Sequence, residues 1–308
     1  MRIVFLGSGA FGIASLESLT MQHEVVLVVT QPNRPAGRGK VMTATPIALR
    51  AEELGVPVLK PEDVNEESVR AQVRAVDADA WVVIAFGQKL SPELLEGVFA
   101  VNLHGSLLPQ YRGAAPIQRA VMDGCPSTGV SVIALAQRMD AGVVYAMRTR
   151  AIGATETSDD VHDELALLGP EVIQEVLFKY EARTLEGVVQ DEGLATRARK
   201  LSKAESSFDV ALLTAHEARA RINGLNSWPG FSAMLGELSV KILRVQEVSS
   251  EGTAAVGILG EDGRIRTSAG AIEVLSIQPL GSKPMTFAEF ARGRRSCIGL
   301  PVLPLKQQ

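Results

Sequence analysis

The chain has 308 residues, 46% hydrophobic and 21% charged, which supplies apolar material for one large or two ordinary domains and excludes a disordered protein. No uninterrupted apolar run reaches the roughly 18 residues of a membrane helix, and two cysteines, Cys125 and Cys297, exclude a disulfide framework or a four-ligand cysteine zinc site. Charge is uneven: residues 1–195 carry 16 Lys/Arg against 25 Asp/Glu, whereas residues 196–308 carry 15 against 10, a polarity that points the second part toward a polyanion.

The chain opens Met1-Arg-Ile-Val-Phe-Leu-Gly7, a buried strand running into a glycine turn. No signal or transit segment precedes it, so a cytosolic, cytoplasmic protein is expected. Ile3–Leu6 is a continuous apolar run, as a strand covered on both faces requires. A helix is predicted from about Phe11 to Met21, then a strand at Glu24–Val29. A Gly/Pro/Arg-rich insertion from Gln31 to Pro46 follows, then a helix to about Leu54, a short run at Val56–Leu59 and a helix opened by the acids from Asp63. Trp81–Phe86 and Ala100–His104 are the next strands, and Gly129–Ala136 another. This alternation predicts an α/β fold with a doubly wound, mostly parallel Rossmann-like sheet.

The pattern changes after about residue 195. Glu181–Ser207 is polar and reads as a linker, with Arg197, Arg199, Lys200 and Lys203 close together. Short apolar runs at Ser239–Val245, Ala254–Leu259, Arg264–Thr267 and Ala271–Ile277, broken by glycine turns, predict a small antiparallel barrel or sandwich. The expected organisation is a first domain over 1–190, a linker over 191–206 and a barrel domain over 207–308.

Gly7-Ser-Gly9-Ala-Phe-Gly12 satisfies the dinucleotide fingerprint after a strand and before a helix. An oxidoreductase would also need an acid closing the second strand, and Val29-Thr-Gln31-Pro-Asn33 offers none. A tight strand–helix turn alone accounts for the glycines.

Asn102-Leu-His104-Gly-Ser106-Leu-Leu-Pro109 leaves a strand through a turn. Asn102 and His104 are two apart and share one face at the strand's carboxyl end, the edge where open α/β sheets bind ligands. An amide there can donate to a developing oxyanion, and an imidazole can move a proton near neutral pH. Asp140, in Met139-Asp140-Ala-Gly142 after the Gly129–Ala136 strand, can orient that imidazole. No Gly-x-Ser-x-Gly elbow exists for a serine hydrolase. Direct transfer between two bound substrates, with no covalent nucleophile and no metal, fits this set.

The Asn102-x-His104 strand, Ser106–Pro109, Tyr111-Arg-Gly-Ala-Ala-Pro-Ile-Gln118 and Asp140-Ala-Gly142 resemble the folate-dependent formyltransferase superfamily. Gln31-Pro-Asn-Arg34-Pro-Ala-Gly-Arg38-Gly-Lys40, Lys200-Leu-Ser-Lys203 and Asn226-Ser-Trp228-Pro229 narrow the resemblance to its methionyl-tRNA formyltransferases, in order from Met1 to about Arg295. Val143 stands where the family often has proline, and an aromatic residue is missing near Val210.

The resemblance implies that Asn102, His104 and Asp140 are catalytic and that 10-formyltetrahydrofolate is the formyl-donor cosubstrate. Its pterin would be lined, largely through backbone groups, by Phe86, Gly87, Gln88, Lys89 and Leu90, by Ser106, Leu107, Leu108 and Pro109, and by Gln137, Arg138 and Met139. Initiator methionyl-tRNA would meet Arg34, Arg38 and Lys40 of the insertion, the linker cations Arg197, Arg199, Lys200 and Lys203, and an OB-like C-terminal β-barrel. A cationic, glycine-rich loop suits phosphate contacts, and small OB-type barrels often bind nucleic acid. A monomer acting off the membrane is expected. A small acceptor such as an amino-sugar nucleotide would use the same chemistry but would need neither the loop nor the basic second part.

Overall fold

The computed structural model describes residues 1–37, 39–249 and 255–305. The elements begin with β1 (Arg2–Gly7), α1 (Ile13–Gln22), β2 (Glu24–Val29), β3 (Arg34–Ala36), β4 (Val41–Thr43) and α2 (Pro46–Glu53). They continue with β5 (Val58–Leu59), α3 (Glu67–Ala75), β6 (Ala80–Ile84), α4 (Pro92–Leu95), β7 (Ala100–His104) and β8 (Arg112–Gly113). Then come α5 (Pro116–Met122), β9 (Ser127–Ala134), β10 (Val144–Ala151), α6 (Ser158–Glu181) and β11 (Arg197–Ala198). The remainder is α7 (Ala215–Gly224), β12 (Phe231–Leu235), β13 (Leu238–Val248), β14 (Arg264–Arg266), β15 (Ala271–Pro279), β16 (Met285–Thr286), α8 (Phe287–Gly293) and β17 (Val302–Pro304).

Two compact units form, neither continuous in sequence. The first comprises Met1–Arg112, Gly129–Thr149 and His162–Arg197, the second Gly113–Thr128, Arg150–Val161 and Ala198–Gln308.

The first unit holds a seven-stranded sheet ordered β10-β9-β7-β6-β1-β2-β5. β5, β2, β1, β6 and β7 run parallel, and β9 runs antiparallel to β7. Ile3, Val4, Phe5 and Leu6 of β1 are fully buried, which explains their uninterrupted apolar run at the sheet centre. Val4, Leu6, Leu27, Val29, Trp81, Val83 and Phe86 form the core of one face with Val64 and Val73. The chain leaves β1 toward β2 and β5, then returns to β6 on the other side. The crevice at such a reversal is where doubly wound sheets bind ligands.

The Gly7–Gly12 turn is occupied by the protein itself. A Cβ on Gly7 would lie 2.6 Å from the Phe5 ring and 2.9 Å from the Ile84 carbonyl, so the glycine is required by close packing. Ser8 Oγ donates to Phe86 O at 2.9 Å and accepts from Gln31 N at 3.1 Å. The turn's hydroxyl is therefore committed to β2 and the β6 loop.

The insertion is more ordered than its composition suggests. β3 and β4 pair antiparallel, Arg34 with Thr43 and Ala36 with Val41, and every residue of both strands is exposed. Arg38 lies outside the described residues.

In the second unit β14-β15-β13-β12-β17 form an antiparallel sheet, with β16 also pairing β15. With the Rossmann-like sheet of the first unit, this curved antiparallel sheet is the OB-like second half that the sequence predicts. Its core gathers Phe231, Ala233 and Leu235 of β12, Val240, Ile242 and Val245 of β13, and Ile272, Val274 and Ile277 of β15. The register of β13 on β15 shifts around Arg244, a bulge that bends a strand and strengthens its twist. Buried Asn223 of α7 completes the ladder there, donating to Val245 O at 3.0 Å and accepting from Val245 N at 2.9 Å. The run at Ala254–Leu259 differs from expectation. Ala254 lies outside the described residues, and Val256, Ile258 and Leu259 make only isolated bridges.

Candidate active site

Asn102 and His104 close β7 at the carboxyl edge of the first unit's sheet. Asn102 lies beside Val83 of parallel β6 and Ile133 of antiparallel β9, and His104 beside Ser131. The Asn102 side chain is half-buried and forms no hydrogen bond among the described residues. Its amide is free to donate into the crevice.

His104 is 6% exposed, and both ring nitrogens have neighbours. Nε2 lies 2.9 Å from the Tyr111 carbonyl. A carbonyl only accepts, so Nε2 carries the hydrogen and, in the neutral ring, Nδ1 holds the lone pair. Nδ1 faces Asp140 Oδ2 across 3.7 Å, too far for a direct hydrogen bond but within ion-pair range of a protonated ring. The imidazole is thus oriented by the backbone with its basic nitrogen turned toward a carboxylate.

Strain gathers at this edge. Ala85 after β6, Tyr111 and Asp140 all have left-handed backbones, with φ of 47°, 60° and 53°. Non-glycine residues hold such angles where surrounding structure enforces them, commonly at functional sites. In the Asp140-Ala-Gly142 turn, a Cβ on Gly142 would fall 1.8 Å from the Ala134 carbonyl. Only glycine lets the turn lie against β9.

Hydrogen bonds from a distant segment hold the same turn. Gln190 is 7% exposed, and its Nε2 donates to Asp140 O at 2.8 Å and Gly142 O at 2.7 Å. Its Oε1 accepts from Arg112 Nε at 3.0 Å and Nη2 at 2.8 Å. Buried Arg112 also pairs with Glu192 at 3.0 Å, and Arg138 meets the same carboxylate at 2.7 Å. Hydrogen bonds from Arg112 first, then Arg138, pull the Glu192 carboxyl down to about 2. Nothing local in Val188-Val-Gln-Asp-Glu192 marks Gln190, since its partners lie 48 to 78 residues away.

The residues expected to line a pterin divide by accessibility. Phe86 and Leu90 belong to the core, while Gly87 and Lys89 are exposed. Gln88 spends its amide on Val64 N and Pro61 O. Ser106 is fully buried and donates to Gln110 O, and Ser131 Oγ ties Ser106 O to Leu108 N. Leu108 is buried and Leu107 and Pro109 half-buried, whereas Gln137, Arg138 and Met139 are exposed on the approach to Asp140.

Of the expected tRNA contacts in the first unit, Arg34 pairs with Glu62 at 2.5 Å, Lys40 is exposed, and Arg197 is exposed on β11. In the second unit Arg199, Lys200 and Lys203 are exposed. Among the described residues, none of Lys40, Arg197, Arg199, Lys200 and Lys203 is held in an ion pair.

A half-buried amide, an oriented imidazole and a carboxylate thus lie at the carboxyl edge of a doubly wound sheet. The chain belongs to the formyl transferase family, whose model matches residues 1–177, and the family's C-terminal domain matches residues 200–295. Among named relatives it is similar to methionyl-tRNA formyltransferase of Heliobacterium modesticaldum, 37% identical over 96% of this chain and 98% of the relative. It is 41% identical to methionyl-tRNA formyltransferase of Cereibacter sphaeroides, over 95% and 96% of the two chains. Among solved structures, the fold resembles HypX of Aquifex aeolicus in complex with tetrahydrofolic acid, with TM-score 0.65 and 18% identity over 100% of this chain and 50% of that one. It also resembles the Helicobacter canadensis N-formyltransferase complexed with folinic acid and dTDP-3-aminofucose, with TM-score 0.68 and 14% identity over 92% and 100%.

Proposed function

We propose that this chain transfers the formyl group of 10-formyltetrahydrofolate to the α-amine of methionyl-initiator tRNA, the reaction that prepares translation initiation. The observation that carries the reading is the convergence of Asn102, His104 and Asp140 at one sheet edge, in a chain that matches methionyl-tRNA formyltransferases along nearly its whole length.

The free amine attacks the formyl carbon, and the carbonyl electrons move onto oxygen. Asn102, whose amide is uncommitted, donates to that oxyanion. The amine's proton passes to His104 Nδ1, where the imidazolium is balanced by Asp140. Collapse of the tetrahedral adduct breaks the bond from carbon to N10, and N10 takes the proton held by His104 as tetrahydrofolate leaves, which restores the neutral imidazole. Donors aimed at a developing oxyanion and a positioned base are the two contributions such a reaction needs.

Exposed Gly87 and the exposed Gln137–Met139 segment suit a flat heterocycle bound through main-chain groups. The unpaired cations suit a phosphate backbone, and the Arg34–Glu62 pair would have to exchange for one. A nicotinamide enzyme gains no support, because the glycine turn is packed and its serine committed.

Asn102→Ala and His104→Ala test the mechanism. Each is expected to lower formylation turnover by roughly 10²–10⁴-fold while the far-ultraviolet circular dichroism of the fold is retained. Turnover near wild type in both folded variants would remove it.

A further inference from the structure

Gln190 uses all of its hydrogen-bonding capacity on one task. Both amide hydrogens go to the catalytic turn, one to Asp140 O and one to Gly142 O, and both lone-pair sites of Oε1 are taken by Arg112. That arrangement fixes the orientation of the amide, because the guanidinium requires an oxygen and the two carbonyls require donors. Arg112 is in turn locked by Glu192, which also holds Arg138, two residues before Asp140. The turn so held contains an aspartate with a left-handed backbone, a conformation that a non-glycine residue keeps where its surroundings enforce it.

We propose that Gln190 is a positioning residue for the transfer reaction. It clamps the Asp140–Gly142 turn so that the Asp140 carboxylate stands opposite His104 Nδ1. Arg112 and Glu192 serve by holding Gln190. The proposal rests on the catalytic reading of Asp140. Gln190 touches no substrate, so its removal acts through the placement of Asp140, where displacements of about 1 Å can cost about 10²-fold in rate.

The test is a double-mutant cycle on the full-length chain. Gln190→Glu keeps the volume and the acceptor for Arg112, but sets carboxylate oxygens against two carbonyls in place of two donors. Gln190→Leu keeps only the volume. In folded protein, Gln190→Glu is expected to lower kcat roughly 10–100-fold with the KM for the folate donor changed less than about threefold. Placed on Asp140→Ala, the same substitution should cost less than a further twofold, because the group it positions is gone. Should Gln190→Leu fail to fold, Gln190→Glu decides alone. Wild-type kcat in Gln190→Glu, or a full loss repeated on Asp140→Ala, would overturn the proposal. Wild-type turnover in Asp140→Ala alone would instead overturn the catalytic reading, and the single variant shows it before any Gln190 variant is combined.

Discussion

Asn102 and His104 were legible from their spacing alone, since two residues apart on a strand is one face and the strand ends at the sheet's carboxyl edge. Their partner geometry was not legible. The Tyr111 carbonyl, not Asp140, holds the imidazole at hydrogen-bond distance, and this depends on a turn whose left-handed Tyr111 no local pattern announces. Glu192 offers a check of the network behind that turn. Its carboxyl is held at about 2 against an ordinary 4.5, so the folded state favours the charged form. That stabilisation is present above the ordinary value and is lost as pH falls through about 2. The thermal midpoint of the wild type should therefore exceed that of Glu192→Gln at neutral pH, and the gap should close as pH falls from 4.5 toward 2. A gap that stays constant over that window would show that the Arg112–Glu192 contact is not what lowers the carboxyl.

Elements with one dominant physical cause were read closely. β2 at Glu24–Val29 matches the predicted run because burial leaves a nearly continuous apolar sequence, and β7 matches at Ala100–His104 although Asn102 and His104 interrupt its apolar residues. β10 carries no clear strand signal in the sequence, since its alternating exposure mixes Arg148 and Arg150 among apolar residues. The β3–β4 hairpin reads as loop for a related reason: its strands, Arg-Pro-Ala and Val-Met-Thr, are fully exposed and carry no burial pattern. In the second half β13 runs from Leu238 to Val248, longer than its apolar run. The bulge at Arg244 and its supporting Asn223 are long-range features. Asn223→Ala strands the buried N–H and C=O of Val245, and should destabilise the chain by about 2–3 kcal/mol in urea unfolding. A loss below about 0.5 kcal/mol would mean that water or a rearranged ladder satisfies Val245 instead.

At the scale of the molecule, the large mixed sheet ends with β10 at Ala151 and the antiparallel sheet begins with β12 at Phe231, while the segments of the two compact units alternate along the sequence. α5 lies in the second unit, where Ala115, Leu201 and Leu225 form an apolar cluster with Met122 and Phe208 packed against it. Truncation after residue 205 would leave α5 without Leu225 and Phe208. The shortened chain is expected to aggregate rather than give a soluble folate-binding domain, and gel filtration of residues 1–205 at micromolar concentration checks this. A monodisperse product would show that the first half folds without those contacts. No described helix is long and apolar enough to cross a membrane. The central claim concerns the acceptor, because the Asn102–His104–Asp140 chemistry would serve any amine. The most direct measurement incubates the full chain with 10-formyltetrahydrofolate and, in separate reactions, charged initiator tRNA, charged elongator methionyl-tRNA and amino-sugar nucleotides, following formylated product by mass spectrometry. Rapid formylation of initiator methionyl-tRNA is expected, with apparent affinity that falls steeply as salt rises, and far slower use of the others. Preferred formylation of an amino-sugar nucleotide, or no formylation of the charged initiator tRNA, would contradict it.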